Sequence, residues 1–146
     1  MPRSDLVAST GAWLLENAHR VLLAATGGRW PTRLAGMQTL ELHVVGRTSG
    51  EERSTLLTAP ICEDDRVVLV ASKAGHSEHP QWYENLVVNP HVEITINQQT
   101  RSMKARTASP QEREELWARI TREFPHYAGY QTRTDREIPV VICEPA

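Results

Sequence analysis

From Thr39 to Val45 the chain alternates Leu40, Leu42 and Val44 against Glu41 and His43, the period-two pattern of a strand with one buried face. The run Arg66-Val67-Val68-Leu69-Val70-Ala71 is instead continuously apolar and β-branched, as expected of a strand covered on both faces. Residues 53–62, 66–72, 91–97 and 101–107 read as strands, separated by turns at Glu63-Asp64-Asp65 and Asn97-Gln98-Gln99, and a last strand is expected over 138–143. Helical periodicity predicts an amphipathic first helix over roughly residues 5–25, carrying Leu6, Trp13, Leu14 and Val21 to Leu23; Gly27-Gly28 ends it, and the stretch to Gly36 reads as loop. That helix either packs on its own domain or lies against a membrane surface.

A short helix is expected from Pro80, taken as its first helical position, to Pro90. Ser109-Pro110-Gln111-Glu112 supplies a capping hydroxyl, a Pro at the first helical position and a first-turn acid, so a further helix starts there and buries Leu116, Trp117 and Ile120. Phe124-Pro125 ends or redirects it, and 126–132 forms another helical turn presenting Tyr127 and Tyr130. Five or six antiparallel strands in a meander, with interspersed helices, predict an α+β fold with a barrel-like sheet, since closure removes exposed edges. Neither a Gly-x-Gly-x-x-Gly after a strand nor a Walker loop is found, which disfavours doubly wound nucleotide folds.

A length of 146 residues suits one domain. Net charge of −2 gives no general attraction to nucleic acid or anionic lipid. Charge is uneven, however: residues 51–100 hold eight acids against three bases, so a basic site must be local, with Arg29, Arg33, Arg47, Arg53 and Lys73 as candidates. Cys62 and Cys143 sit in apolar contexts without metal spacing and read as small buried hydrophobes of a reducing compartment. With no visible secretory signal and no spanning segment, the expected location is cytoplasmic.

The segment 71–90 concentrates the candidate chemistry. A strand end delivers Ser72 and Lys73, Gly75 lets the main chain approach a ligand, and the helix after it carries Trp82, Tyr83 and Asn85, a set suited to an anionic ligand with a flat ring system. The plainer alternative makes Trp82 and Leu86 core and Lys73 a solvated charge. The turn Gly46-Arg47-Thr48-Ser49-Gly50 can likewise surround an anion with N–H groups, or be an ordinary hairpin loop. His76 and His79 flank Glu78 without a third ligand at metal spacing, which favours a loop over a metal site. A nucleophilic Ser72–Lys73 pair is disfavoured because adjacent strand residues point to opposite faces.

Three ordered blocks carry a family resemblance: residues 45–53 (Val-Gly-Arg-Thr-Ser-Gly-Glu-Glu-Arg); Val70-Ala71-Ser72-Lys73-Ala74-Gly75 with Pro80-Gln81-Trp82-Tyr83-Glu84-Asn85-Leu86; and 124–131 with Thr134-Asp135-Arg136-Glu137-Ile138-Pro139. From about Leu40 to Pro145 the chain resembles the deazaflavin-dependent nitroreductases, actinobacterial reductases that use reduced coenzyme F420. The resemblance implies a split β-barrel related to flavin-mononucleotide-binding proteins, so that 37–146 form the core of a single reductase domain, 1–146, to which the periodicity adds 1–36 as helix and loop. It implies that Arg47, Thr48, Ser49 and Arg53 hold the acidic cofactor tail, that Ser54, Thr55, Leu56, Leu57 and Thr58 continue that wall, and that Val70, Ala71, Ser72, Lys73, Gln81, Trp82, Tyr83, Glu84, Asn85 and Tyr127 line the deazaflavin and its linker. Tyr127 and Tyr130 stand on the acceptor side, and Ser72 and Tyr127 stabilise developing charge. The implied acceptor is a quinone, an activated enone or lactone, or a nitroaromatic. The rival readings are a non-catalytic carrier of F420 or another small ligand, and a flavin-mononucleotide or haem oxidoreductase on the same barrel.

Overall fold

The computed structural model describes residues 33–146, and the first helix expected over 5–25 lies outside them. Eight strands form one antiparallel sheet: β1 (Arg33–Leu34), β2 (Met37–Val45), β3 (Glu52–Ala59), β4 (Ile61–Glu63), β5 (Arg66–Val70), β6 (His91–Ile96), β7 (Gln99–Thr107) and β8 (Val140–Pro145). Among the described residues, helices α1 (Gln81–Val88), α2 (Pro110–Glu123) and α3 (His126–Thr132) pack on it, with a 3₁₀ turn at Lys73–Gly75. Among the described residues no helix is long and apolar enough to cross a membrane.

The sheet is not the simple meander expected from the strand sequence. Its order is β1-β2-β6-β7-β8-β5-β4, with β3 on the other edge of β2. The last strand, β8, inserts between β7 and β5, and β3 folds back near β5, so the sheet curls into a split barrel. Two boundaries also differ from the sequence reading. Pro60, lacking an N–H for the ladder, divides the strand expected over 53–62 into β3 and β4. The loop expected before residue 37 contains β1, turned back onto β2 by Ala35 and Gly36, both at positive φ.

Two apolar clusters explain why some strands alternate and others do not. Leu40, Leu42, Val44, Ile94 and Met103 fill the barrel interior, which α1 covers with Leu86. On β5, Val67 and Leu69 join that interior while Val68 belongs to a second cluster beneath α2 and α3. On β8, Val141 and Cys143 face one cluster, Val140 and Ile142 the other. Burial of each such side chain contributes about 1.5–3 kcal/mol. Leu116 and Ile120 are buried as expected from the α2 pattern, whereas Trp117 is half-buried beneath Arg113, whose guanidinium lies 4.6 Å from the ring centroid. Cys143 is buried, but Cys62, opposite Val67 on the short strand β4, is exposed at the rim of the first cluster.

The start of α2 forms a capping box: Glu112 N donates to Ser109 Oγ at 3.3 Å and Ser109 N to Glu112 Oε1 at 3.0 Å. Arg106 on β7 donates to both Glu112 oxygens and to Glu144 on β8, tying helix to sheet. Arg106 and the Ser109 bonds hold the Glu112 carboxyl down to about 2. Its stabilising contribution is therefore complete above the ordinary value of 4.5 and is lost as pH falls toward 2, a loss that Glu112→Gln should remove from an acid-unfolding profile. Ser109→Ala is expected to cost about 1 kcal/mol in urea unfolding at neutral pH; an unchanged midpoint would contradict the cap's role.

Candidate functional site

The turn between β2 and β3 is fastened to α1. Gly46 N donates to Glu51 O, Gly50 N to Gly46 O and Glu51 N to Ser49 Oγ. Arg47 N donates to Asn85 Oδ1 at 3.1 Å, which leaves Thr48 and Ser49 to offer N–H groups and hydroxyls outward. The Arg47 guanidinium reaches the same helix, at 2.7 Å to Asn85 Oδ1, 2.9 Å to Gln81 Oε1 and 2.8 Å to Glu84 Oε2. Strand pairing sets Arg53 opposite Val44 beside this turn. Among the described residues Arg53 and Lys73 have no ion-pair partner, so their charges face the site uncompensated. Glu84, by contrast, neutralises Arg47 and competes with any incoming anion. Glu84→Gln is accordingly expected to tighten anion binding about 3- to 10-fold at low ionic strength, with the gain shrinking as salt rises; a weaker binder in titration would refute the competition.

The opposite wall is built where β5 ends. Strand geometry stops at Val70, and Lys73, Ala74 and Gly75 then take positive φ values of 45°, 53° and 82° in succession. Two non-glycine residues in the left-handed region store strain that neighbouring contacts must hold. Arg136 supplies four: its guanidinium donates to the carbonyls of Ala71, Ser72 and His76 at 3.2, 2.8 and 2.8 Å and lies 3.0 Å from His79 Nδ1. Because the chain has left the strand, Ser72 and Lys73 line one cavity together instead of pointing to opposite faces. Gly75 meets α3: a Cβ there would stand 2.6 Å from Tyr130 O. The close approach it permits is thus to the protein's own helix and not to a ligand. Pro80 caps α1 from an extended conformation, one residue before the first helical position.

Two cavities result. The larger, of about 850 Å³, is cationic and the more polar of the two, lined by Arg47, Thr48, Ser49, Arg53, Ser54, Thr55, Gln81 and Asn85. The smaller, of about 330 Å³, is lined mainly by apolar and aromatic groups: Leu34, Ala35, Met37, Leu56, Leu57, Val70, Tyr127 and Tyr130, with Thr58, Ser72 and His126 among them. Lys73, Pro80 and Trp82 belong to both walls, so the cavities adjoin across these three side chains. Trp82 also packs on the barrel core while it lines both cavities.

The two tyrosines of the smaller cavity differ. Tyr127 is 5 % exposed and donates its hydroxyl to Met37 Sδ at 3.3 Å. Burial pushes its phenol up to about 12, which keeps it a neutral donor through the neutral range. Tyr130 is half-buried, with the Arg133 guanidinium 5.5 Å from its ring centroid.

Sequence reading and geometry part at several residues. Tyr83 lines neither cavity; its hydroxyl is 2.9 Å from Thr107 Oγ1 and its ring rests on His79. Glu84 acts only through Arg47, and Ala71 is wholly buried beneath Arg136. His76 Nδ1 accepts from Glu78 N, so both histidines of that loop are structural, and among the described residues no three metal-ligating side chains converge. Leu34, Ala35, Met37 and His126 line the apolar cavity without having been singled out. Ala35-Gly36 was the available signal, a dipeptide that can reverse a hairpin and so bring Leu34 and Met37 together.

A family model for F420H(2)-dependent quinone reductase matches residues 15–145. The F420H(2)-dependent quinone reductase Rv1261c of Mycobacterium tuberculosis is 34% identical over 128 residues, which is 85% of each chain. A solved F420-H2 dependent reductase, FDR-A, superposes with a TM-score of 0.65 at 36% identity, covering 73% of this chain and 93% of that one. A further solved structure, described only as a domain-swapped dimer, gives a TM-score of 0.68 at 33% identity, covering 93% of this chain and 100% of that one.

Proposed function

Because the chain belongs to the F420H(2)-dependent quinone reductase family, we propose that its two adjoining cavities divide the reaction between them: the cationic one anchors the cofactor tail, and the apolar one receives the ring and the acceptor. The protein is an F420H2-dependent oxidoreductase, and its cofactor is reduced coenzyme F420. Bound there, the cofactor supplies a hydride from C5 of its deazaflavin ring.

The residues fit this cofactor. Its tail is polyanionic, and Arg53 and Lys73 present charges that no described residue neutralises, while Thr48 and Ser49 add neutral donors. Its ring system is flat, and Trp82, Pro80 and Val70 offer flat or apolar walls beyond Lys73. Ser72 is 8 % exposed and, with Tyr127, brings a hydroxyl-bearing side chain to a mostly apolar cavity wall, where a hydrogen bond to developing charge counts for more than it does in solution. Tyr130 and Leu34 narrow the cavity so that a planar acceptor is held against the ring face. The acceptor class is quinones, in keeping with the family, and the chain acts as one reductase domain.

The observation that carries this reading is the junction at Lys73, Pro80 and Trp82, where an anion site meets an apolar slot. The test is a titration of the cofactor-free protein with F420 and separately with flavin mononucleotide, followed by turnover of F420H2 with menadione. Saturable F420 binding that weakens with salt, plus menadione-dependent oxidation, is expected. Preference for flavin mononucleotide would overturn the cofactor assignment, and tight binding without oxidation would leave a carrier.

A further inference from the structure

Reduction of a quinone by hydride leaves the product one proton short of the hydroquinone. The titratable side chains lining the apolar cavity are Lys73, His126, Tyr127 and Tyr130. Tyr127 can donate a hydrogen bond but holds its proton too tightly to give it up in the neutral range. Lys73 stands at the boundary with the cationic cavity, beside the tail site. His126 is placed differently: its ring lies 4.2 Å from that of Tyr127, tilted by 35°, and 5.5 Å from that of Tyr130. No described residue hydrogen-bonds its ring nitrogens, whereas ring nitrogens of His43, His76 and His79 are all engaged. The residue is also exposed at the cavity mouth, where solvent reaches it.

We propose that His126 is the proton donor that completes acceptor reduction. Its ring N–H hydrogen-bonds the acceptor oxygen on which negative charge collects. Hydride addition delivers two electrons and one hydrogen to the quinone, giving the hydroquinone monoanion. The imidazolium N–H bond then breaks, an O–H bond forms, the electron pair stays on the imidazole, and solvent returns a proton to the ring. The inference rests on the apolar cavity being the acceptor site.

Burial lowers the His126 pKa below the ordinary 6.5, so the protonated donor is depleted as pH rises through a value under that figure. The groups against the ring are Tyr127 and Tyr130 from its own helix and Phe124 from the α2 end; Lys73 of the 3₁₀ turn is the charged group that shares the cavity, while Leu34, Met37 and Thr58 from β1, β2 and β3 carry no charge.

The experiment measures kcat and KM for menadione against pH in the wild type, His126→Gln and His126→Ala, with F420 affinity measured alongside. Wild-type kcat is expected to fall as pH rises from about 5.5 to about 8, and His126→Ala to lose about 100-fold near pH 6, less at higher pH, while F420 affinity is kept. Added imidazole should restore part of the rate in His126→Ala, and menadione added to the cofactor-free wild type should shift the His126 ring resonances in NMR. Variants with wild-type kcat and pH profile, or with only a raised KM, overturn the inference. If the wild type itself neither binds F420 nor reduces menadione, it is the function reading that fails.

Discussion

Lys73→Met is expected to weaken F420 binding roughly 10- to 100-fold, the 1.5–3 kcal/mol typical of a hydrogen bond to a charged group. The substitution keeps an apolar stem of similar length, so the slot beyond Trp82 stays filled while the charge at the junction of the two cavities disappears. Because Lys73 has no competing partner among the described residues, little of its charge is already spent inside the protein. The plot of affinity against salt should also flatten, since one attractive charge is gone. Fluorescence titration at two ionic strengths checks both parts, and an unchanged dissociation constant would place the tail elsewhere. Arg47→Met should do less to direct attraction and more to the turn, because Arg47 is bound to three α1 side chains.

Gly75→Ala is expected to destabilise the protein by about 2–4 kcal/mol and to raise the acceptor KM. Two costs combine. A φ of 82° is unfavourable for any residue with a Cβ, by about 1–2 kcal/mol. The new atom would also stand 2.6 Å from Tyr130 O and 2.9 Å from Arg133 Cβ, so α3 must retreat or the 3₁₀ turn unwind. Either response moves Tyr127 and Tyr130 relative to Ser72. Gly50→Ala is the control: its φ is 70°, but nothing lies within 4 Å of the added Cβ, so only the conformational cost remains. Urea unfolding of both variants separates strain from collision, and equal losses would mean that α3 yields without resistance.

The parts of this fold that were legible in the chain are those written in local pattern. Leu40, Leu42 and Val44 announced a one-sided strand, and the unbroken run of β5 announced its double burial between two clusters. The capping signal at Ser109 placed α2 to the residue. What escaped depends on long-range juxtaposition. The Tyr127 hydroxyl meets Met37 across 90 positions, and the insertion of β8 between β7 and β5 is a matter of topology that no short window encodes. Arg136 illustrates the middle case. It stood out as part of a motif, but its work, bonding three carbonyls and a histidine ring 57 to 65 positions away, follows only from the fold. Tyr83 shows the reverse, since a favourable residue on the right helix turned its hydroxyl toward Thr107.

The partition between the cavities bears on how such a protein can change its chemistry. Among the described residues only Lys73, Pro80 and Trp82 belong to both walls, whereas Leu34, Ala35, Met37 and Tyr130 touch the apolar side alone. On the proposed division of the site, substitutions on the β1 hairpin and α3 are expected to change acceptor preference while the anchoring of the cofactor tail is kept, and a laboratory selection for new acceptors has a defined set of positions to randomise. Changes at the three shared residues alter both properties at once, which makes them the pleiotropic positions of the site.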